Sequence, residues 1–345
     1  MPKCIFHYPM QIDYNRASAS HIRPQMMLQA FKDIGYDVSV VMGCAAERKR
    51  QARDVESRIR SGERFDFLYS ESSTMPTQLT EPSHFPISPS IDFGLFKTCR
   101  QYGINIGLFY RDSYWLDPGY RNIGFLKSSI AIHFYRRDLE EYSRYVSVFY
   151  TPSKMLPACI EESIFPCKTQ TLPPGSDIRP AAIEARLATL DRYTSLADRP
   201  LELLYVGGIG GHYGFGSLID AIKGMRGIRV TFCVREGDLA SSRFGETLRL
   251  LPNARIVHAS GEELKPLYRE ADVALMFFDD HPYLRGSVPY KTFEYAANGL
   301  PIIASSVMAA SKLITSYNAG WVIDPDSTLL KNALNEIKAK PESIA

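Results

Sequence analysis

The sequence predicts an α/β protein made of two successive doubly wound parallel-sheet domains. Short apolar runs alternate with amphipathic stretches along the whole chain, which is typical of strands joined by crossover helices. The chain has 345 residues, more than one hydrophobic core usually holds, so two domains are expected. A proline- and glycine-rich segment near the middle separates two sets of such elements.

That segment is Leu172-Pro-Pro-Gly-Ser-Asp-Ile-Arg-Pro180, and a polar stretch without helical periodicity follows it. We therefore predict an N-terminal domain at residues 1–172, a linker at 173–200 and a C-terminal domain at 201–345. Ligands of doubly wound sheets bind beyond the carboxyl ends of the strands. The loops that follow the predicted strands are therefore the places to look for a site.

In the first half, five apolar runs predict strands, and amphipathic stretches between them predict helices. Pro24 suits the first position of a helix, and Gly35 suits the residue just after its end. The predicted strands are Cys4–Tyr8, Asp37–Met42, Phe65–Ser70, Ile104–Tyr110 and Val146–Thr151. The predicted helices are Pro24–Ile34, Ala46–Gly62, Phe93–Tyr102, Phe125–Tyr145 and Met155–Glu162.

The second half repeats the alternation with six strands and six helices. The predicted strands are Glu202–Val206, Arg229–Val234, Ala254–His258, Val273–Phe278, Pro301–Ala304 and Trp321–Ile323. The predicted helices are Gly216–Met225, Ser242–Leu251, Glu262–Glu270, Lys291–Asn298, Ala309–Asn318 and Thr328–Lys338.

Composition excludes several classes of protein. The net charge is only +2, so bulk electrostatics give no reason to expect a nucleic-acid partner. The six cysteines include no CxxC pair, which favours a reducing compartment over a disulfide or zinc scaffold. The first residues lack the apolar run of a secretory leader, and runs such as Val273–Phe278 are too short to span a bilayer. We expect a cytoplasmic protein. The predicted helix Ala46–Gly62 carries many charges, so peripheral contact with anionic lipid at the inner face of a membrane stays an open alternative.

The strongest candidate for a site in the second half begins at Ser287 and ends at Ser305. Lys291 and Glu294 stand three residues apart in a predicted helix, which places both on one face. A lysine and a carboxylate together can bind a ligand that carries phosphate and hydroxyl groups. Arg285 lies just before this helix and is a second candidate for contact with phosphate.

A glycine-rich loop precedes the predicted helix Gly216–Met225, in Leu203-Leu-Tyr-Val-Gly-Gly-Ile-Gly-Gly-His-Tyr-Gly-Phe-Gly216. Glycines between a strand and a helix let backbone amides approach phosphate oxygens at the positive end of the helix. A flexible turn, or a nicotinamide site with Glu236 on a ribose, are alternative interpretations. The consecutive residues Asp279, Asp280 and His281 are poorly arranged to converge on one ion, so no metal site is predicted.

In the first half, the strand Ile104–Tyr110 is followed by a polar and aromatic loop. Arg111 and Asp112 could hydrogen-bond sugar hydroxyls, while Tyr114 and Trp115 could cover the apolar face of a pyranose. An ion pair that merely holds the loop is the alternative.

The segment Ser287-Val-Pro-Tyr-Lys-Thr-Phe-Glu-Tyr-Ala-Ala-Asn-Gly-Leu-Pro-Ile-Ile-Ala-Ser305 resembles the donor-site segment of the "group 1" glycosyltransferases of the GT-B fold. The similarity extends to Leu204-Tyr-Val-Gly-Gly208, to Leu172-Pro-Pro-Gly175 and to the residues from Glu262 to Val273. Gly107-Leu-Phe-Tyr-Arg-Asp-Ser-Tyr-Trp115 looks like a variant from bacterial surface-polysaccharide members. The resemblance implies two Rossmann-like domains that face each other across a cleft.

The resemblance also implies roles for individual residues. Glu294 matches the carboxylate that binds the ribose of a nucleotide sugar, and Lys291 would neutralise the leaving diphosphate without a metal. The chain departs from the family pattern in two features: Gly286 replaces an expected glutamate, and His212 and Tyr213 replace an expected Arg…Lys pair. The predicted catalytic residues are Lys291, Arg285, Asp112 and Arg111, and the predicted acceptor contacts are Trp115 and Tyr114. The predicted donor contacts are Glu294, Gly207, Gly208, Gly210, Gly211, His212, Tyr213 and Arg235.

The function implied is transfer of a hexose from a nucleotide sugar to a hydroxyl of a surface glycan or its lipid-linked precursor. The donor would bind the second domain and the acceptor the first, with retention at the anomeric carbon and no cofactor beyond the nucleotide sugar. Two alternatives remain open at this point. One is a sugar-nucleotide epimerase of the same architecture, and the other is a homologue that binds nucleotide sugars without turning them over.

Overall fold

The computed structural model forms two compact units, Met1–Pro173 and Pro174–Ala345. It describes residues 1–13, 19–156, 160, 168–177, 179–193, 196 and 198–344. Most of the helix predicted at Met155–Glu162 lies outside the described residues.

The first unit contains a six-stranded sheet with the strand order β2-β1-β3-β4-β5-β6, and every neighbouring pair is parallel. Its strands are β1 (Lys3–Tyr8), β2 (Asp37–Met42), β3 (Phe67–Glu71), β4 (Asn105–Phe109), β5 (Val148–Thr151) and β6 (Lys168–Thr171). Its α-helices are α1 (Ala19–Asp33), α2 (Ala45–Arg60), α3 (Ile91–Gln101) and α4 (Phe125–Tyr145).

Both faces of this sheet are covered, as expected of a doubly wound fold. Successive residues of a strand point to opposite faces, and in β1 they enter different clusters of the core. Ile5 packs with Leu68 and Leu108 on one face, and Phe6 packs with Tyr69 and Phe109 on the other. The alternation explains why the central strands read as continuous apolar runs in the sequence.

The helix α1 begins five residues before the predicted start at Pro24. A proline inside a helix has no N–H for the carbonyl four residues earlier, which here belongs to Ser20. The hydroxyl of Tyr8 donates to that carbonyl over 2.9 Å and so replaces the missing helical bond. A side chain from β1 therefore compensates for the proline, which the sequence alone could not show.

The second unit contains another six-stranded parallel sheet, with the order β12-β11-β10-β7-β8-β9. Its strands are β7 (Leu201–Val206), β8 (Ile228–Cys233), β9 (Ala254–Val257), β10 (Val273–Met276), β11 (Ile302–Ser305) and β12 (Gly320–Ile323). Its α-helices are α5 (Pro180–Leu187), α6 (Gly216–Ile222), α7 (Glu236–Ser241), α8 (Gly245–Leu250), α9 (Leu264–Glu270), α10 (Pro282–Arg285), α11 (Lys291–Ala297), α12 (Ala310–Ser316) and α13 (Ser327–Ala339).

The sequence analysis missed β6 and three short helices, α5, α7 and α10. The strand β6 has the polar sequence Lys-Thr-Gln-Thr and lies exposed at the edge of its sheet, so it lacks an apolar pattern. The three helices have only four to eight residues, too few to show helical periodicity.

The stretch predicted as a linker, 173–200, contributes to the second unit. The helix α5 lies within it, and Tyr193 and Leu196 belong to the core of that unit. Arg186 of α5 donates hydrogen bonds to the backbone carbonyls of Tyr268, Ala271 and Asn298. Among the described residues, no helix is both long and apolar enough to cross a membrane.

Candidate active site

The candidate site in the second unit is centred on Lys291, the first residue of α11. Its ammonium group lies 3.1 Å from the hydroxyl of Tyr205, at the carboxyl-terminal half of β7. It also lies 4.3 Å from the centre of the Tyr205 ring, and the rings of Tyr213 and Phe278 are within 5.6 Å. A cation over several aromatic faces is stabilised by cation–π attraction, but these rings cannot neutralise its charge.

The surroundings of Lys291 change its protonation. Burial of the side chain lowers the pKa of Lys291 to about 7, although Glu294 one turn further along α11 partly opposes the shift. A lysine of this kind titrates near neutral pH, whereas an exposed lysine stays charged. A bound anion would favour its protonated form.

The glycine-rich loop lies directly against this lysine. Gly207 has a φ of +147°, and a β-carbon at this position would overlap the Lys291 ammonium group. The hydroxyl of Tyr205 donates to the carbonyl of Gly208, which holds the loop next to β7. Gly207 and Lys291, predicted separately from two motifs, are therefore brought together.

The amino terminus of α6 does not have the role that the sequence suggested. The two carboxylate oxygens of Asp279 accept hydrogen bonds from the backbone N–H groups of Gly216 and Ser217, each over 2.9 Å. These two amides therefore have no free N–H for a phosphate, and the expectation that this helix end binds phosphate is corrected. Gly214 and Gly216 are needed here because a β-carbon on either would press against Asp279.

Glu294 lies half-buried on the same face of α11 as Lys291. Burial raises the pKa of Glu294, while the positive charges of Arg179 and Lys291 act in the opposite direction. The helix is anchored at this point because the backbone N–H of Val206 donates to the hydroxyl of Tyr295 over 2.9 Å. Arg179 was missed by the sequence analysis because it lies in the segment predicted as a linker.

The remaining predicted residues of the second unit differ in their surroundings. His212 packs on Tyr283, with ring centres 4.4 Å apart, and Tyr213 packs on Phe278 at 4.8 Å. Arg285 is exposed and forms an ion pair with Asp280 over 3.0 Å. Gly208, Gly210 and Gly211 lie in the loop itself, and Arg235 is exposed just after β8.

Gly286 lies buried just after α10, at the position where the resemblance expects a glutamate. It provides no side chain for a donor sugar.

In the first unit, Arg111 follows β4 and lies close to two buried groups, the Tyr8 hydroxyl and the Glu71 carboxylate. Burial raises the pKa of Tyr8 to about 12, while Arg111 opposes this by charge and by a hydrogen bond. Arg23 also approaches Glu71 at 3.4 Å and stacks on the Phe109 ring at 3.6 Å. Two arginines thus surround one buried carboxylate at the carboxyl ends of β3 and β4.

The two aromatic residues predicted to contact an acceptor are parts of the fold. Trp115 is only 2% exposed, stacks on Tyr135 at 5.1 Å and donates its indole N–H to the Tyr110 hydroxyl. Tyr114 is half-buried, and its hydroxyl bonds to the Thr74 carbonyl and to Tyr135. The prediction that Trp115 covers a sugar is corrected, because its ring is enclosed by the core. Asp112 accepts from the backbone N–H of Tyr114 and shapes the same turn.

A second buried network in the first unit was not predicted. The ring nitrogens of His7 lie 2.8 Å from the Ser70 hydroxyl and 2.9 Å from the Asp92 carboxylate, and Arg48 approaches the same carboxylate at 3.1 Å. All four side chains are almost completely buried. The set resembles a hydrolytic triad in composition, but Ser70 is 1% exposed and has no access to a substrate.

Two successive doubly wound units with six-stranded parallel sheets define the class of protein: it has the two-domain α/β fold called GT-B. Solved structures with this fold cover almost the whole chain. Sucrose-phosphate synthase from Thermosynechococcus elongatus aligns with a TM-score of 0.63 at 14% identity, over 99% of this chain and 91% of that one. HepE from Anabaena in complex with UDP aligns with a TM-score of 0.60 at 14% identity, over 100% and 92%. WaaG, a glycosyltransferase of lipopolysaccharide biosynthesis, aligns with a TM-score of 0.57 at 14% identity, over 99% and 94%.

The sequence of the second unit matches a known family. Residues 200–339 match the family model "Glycosyl transferases group 1". The second unit therefore matches a group 1 glycosyltransferase domain over most of its length, and the GT-B fold predicted from the sequence is confirmed. No curated protein sequence matches the chain significantly.

Proposed function

We propose that this glycosyltransferase uses a nucleotide-diphosphate sugar, and that its second unit binds this donor through Lys291 and Glu294. The observation that carries the proposal is the position of Lys291, which is half-buried against aromatic rings and touches the glycine-rich loop. A diphosphate placed at this loop would supply the negative charge that the rings lack. The HepE structure, which has the same fold, contains UDP.

In this proposal, Glu294 accepts hydrogen bonds from the two ribose hydroxyls, which only an ionised carboxylate can do with both oxygens. Lys291 stabilises the diphosphate as the bond from its oxygen to the anomeric carbon breaks. The acceptor hydroxyl forms the new bond to that carbon, and its proton leaves with the diphosphate. Because the lysine supplies the stabilising charge, the proposed reaction needs no divalent cation. We propose that it proceeds with retention at the anomeric carbon, as the family resemblance implies.

We propose a hexose as the transferred group and a glycan or lipid-linked glycan at the inner face of a membrane as the acceptor, bound by the first unit. Arg111 supports this assignment best among the residues predicted there. It lies at the carboxyl end of the sheet, where doubly wound folds bind ligands, and is only half-buried. The match to glycosyltransferases favours transfer over the epimerase alternative.

The test is release of nucleoside diphosphate from a panel of nucleotide sugars, with lipid-linked glycans as acceptors and with a chelator present. We expect release that depends on acceptor and is lost in Glu294→Gln. Product analysis without an acceptor separates transfer from epimerisation. Nucleotide-sugar binding without release for any acceptor or by hydrolysis would instead indicate a non-catalytic homologue, and absence of binding would contradict the proposal.

A further inference from the structure

The amino-terminal half of α4 and the residues before it expose an unusual concentration of apolar side chains. Phe125 is 72% exposed, Leu126 71%, Ile123 51% and Ile130 47%. Single exposed apolar residues are ordinary, but neighbouring ones on one surface mark a contact site. We call the set formed by Arg121, Ile123, Phe125, Leu126, Lys127, Ile130, Phe134, Arg136 and Arg137 the Phe125 surface.

The helix α4 has two apolar sides. One side carries Ala131, Tyr135, Leu139 and Tyr142, which are buried in the core of the first unit. Leu126, Ile130 and Phe134 follow each other at intervals of four residues, which aligns them along the helix. At 100° per residue the centre of this second stripe lies about 135° around the helix from the centre of the core-facing side. Packing in the first unit therefore does not account for it.

The charged residues in the stretch of chain that carries this stripe are all positive. From residue 118 to residue 137 the chain contains no aspartate or glutamate, but it contains Arg121, Lys127, Arg136 and Arg137. All four are exposed, and none forms an ion pair with a carboxylate among the described residues. The next carboxylates along the chain are Asp138, which is buried and accepts from the backbone N–H of Thr77, Glu140, which is exposed, and Glu141, which pairs with Arg144.

We propose that the Phe125 surface docks the protein on a lipid bilayer that contains anionic headgroups. Exposed aromatic and aliphatic side chains on a helix insert at the boundary between headgroups and acyl chains, and neighbouring lysine and arginine residues bind anionic headgroups. The lack of carboxylates suits this partner, since a negative lipid surface repels them. A protein partner of mixed charge gives no reason for a stretch of chain from residue 118 to residue 137 without a single acidic residue.

This assignment moves the membrane contact away from the helix that the sequence suggested. Three of the five arginines of α2 are engaged within the first unit: Arg48 is buried against Asp92, Arg58 pairs with Glu63, and Arg60 pairs with Glu56. Binding to a bilayer would bring the protein to the membrane that holds the lipid-linked acceptor of the proposed function. Its test contains no sugar or nucleotide, so its failure is distinct from failure of that function.

The test is flotation of the full chain with vesicles of phosphatidylcholine alone, or of phosphatidylcholine and phosphatidylglycerol in equal parts. We expect binding to the anionic vesicles that weakens with added salt. Phe125→Ser with Leu126→Ser should reduce the partition coefficient by at least about tenfold, and Arg121→Gln with Lys127→Gln should reduce it about fivefold per charge. These side chains are exposed, so melting temperatures should remain unchanged.

The matched control is Leu250→Ser with Ile34→Ser, which removes two exposed apolar residues from outside this surface, 76% and 69% exposed. It should bind vesicles like the wild type. Equal loss in this control would overturn the proposal, as would binding that ignores the lipid charge. Failure of the wild type to float would also overturn the proposal. Self-association that the Phe125→Ser and Leu126→Ser changes abolish, without any vesicle binding, would show that a second copy covers the surface instead.

Discussion

The carboxyl ends of the two sheets use charged residues in opposite ways. In the first unit, the buried Asp92 carboxylate lies within 3.1 Å of both His7 and Arg48, and His7 also bonds to the Ser70 hydroxyl. In the second unit, Lys291 is surrounded by aromatic rings and bonds to a neutral tyrosine hydroxyl. Buried charges that have partners hold a fold together, whereas a charge left with weak compensation is poised for a ligand. The comparison separates a structural network from a binding site on the same architecture.

The largest expected effect concerns the buried network around Asp92 in the first unit. Asp92→Ala leaves the buried Arg48 and His7 without their shared carboxylate, so we expect the free energy of unfolding of the first unit to fall by about 3–5 kcal/mol. Urea denaturation measures this loss. The matched control is Asp54→Ala, which removes an exposed aspartate that pairs with Arg58 on the same helix. We expect a change of less than about 1 kcal/mol there; equal losses would mean that burial of the network is unimportant.

The second prediction concerns the weakly compensated charge. Lys291→Met keeps the length and apolar contacts of the side chain but removes its charge, so we expect transfer turnover to fall about 10²–10³-fold. Stability should not fall, because a costly buried charge is lost. Arg285→Met is the comparison, since this arginine is exposed and already paired with Asp280. A loss there of more than about fivefold would show that Arg285 also acts in transfer, as the sequence analysis predicted.

Gly207→Ala tests the contact between the loop and the lysine. The added β-carbon would overlap the Lys291 ammonium group, and a φ of +147° is one that residues with side chains rarely adopt. We expect nucleotide affinity to weaken by about 10–100-fold because loop and lysine must separate. Isothermal titration calorimetry measures this change. Gly35→Ala, also at a positive φ but with open space around it, should leave affinity unchanged.

The pH dependence is the subtlest effect. The pKa of Lys291 in the free protein is lowered to about 7, so above neutral pH the amine loses its proton before a ligand binds. Diphosphate affinity should therefore fall as pH rises above 7, by up to tenfold per unit. Stability should instead increase with pH. The lysine of the unfolded chain keeps its proton up to its ordinary pKa, so unfolding becomes less favourable as pH rises from 7. In Lys291→Met both dependences should disappear.

The sequence predicted the fold well because most strands of both sheets are apolar runs, whose positions and lengths can be seen directly in the sequence. Lys291, Glu294 and Gly207 were named from their motifs, and the structure brings Lys291 and Gly207 together; their roles in binding stay a prediction. Three features could not be found this way. Asp279 covers the end of α6 through contacts between distant segments, Arg179 reaches Glu294 from the predicted linker, and Trp115 turns into the core. Aromatic residues near a loop look alike in sequence whether they face solvent or the interior.

The central claim is that Lys291 and Glu294 form a donor site, and binding of UDP tests it most directly. Calorimetric titration of UDP should show saturable binding to the wild type, and Glu294→Gln should weaken it by about 10–100-fold through loss of a charged hydrogen-bond acceptor. Asp280→Asn, which changes an exposed carboxylate of the neighbouring loop, should bind like the wild type. Equal UDP affinity in the wild type and Glu294→Gln would contradict the account.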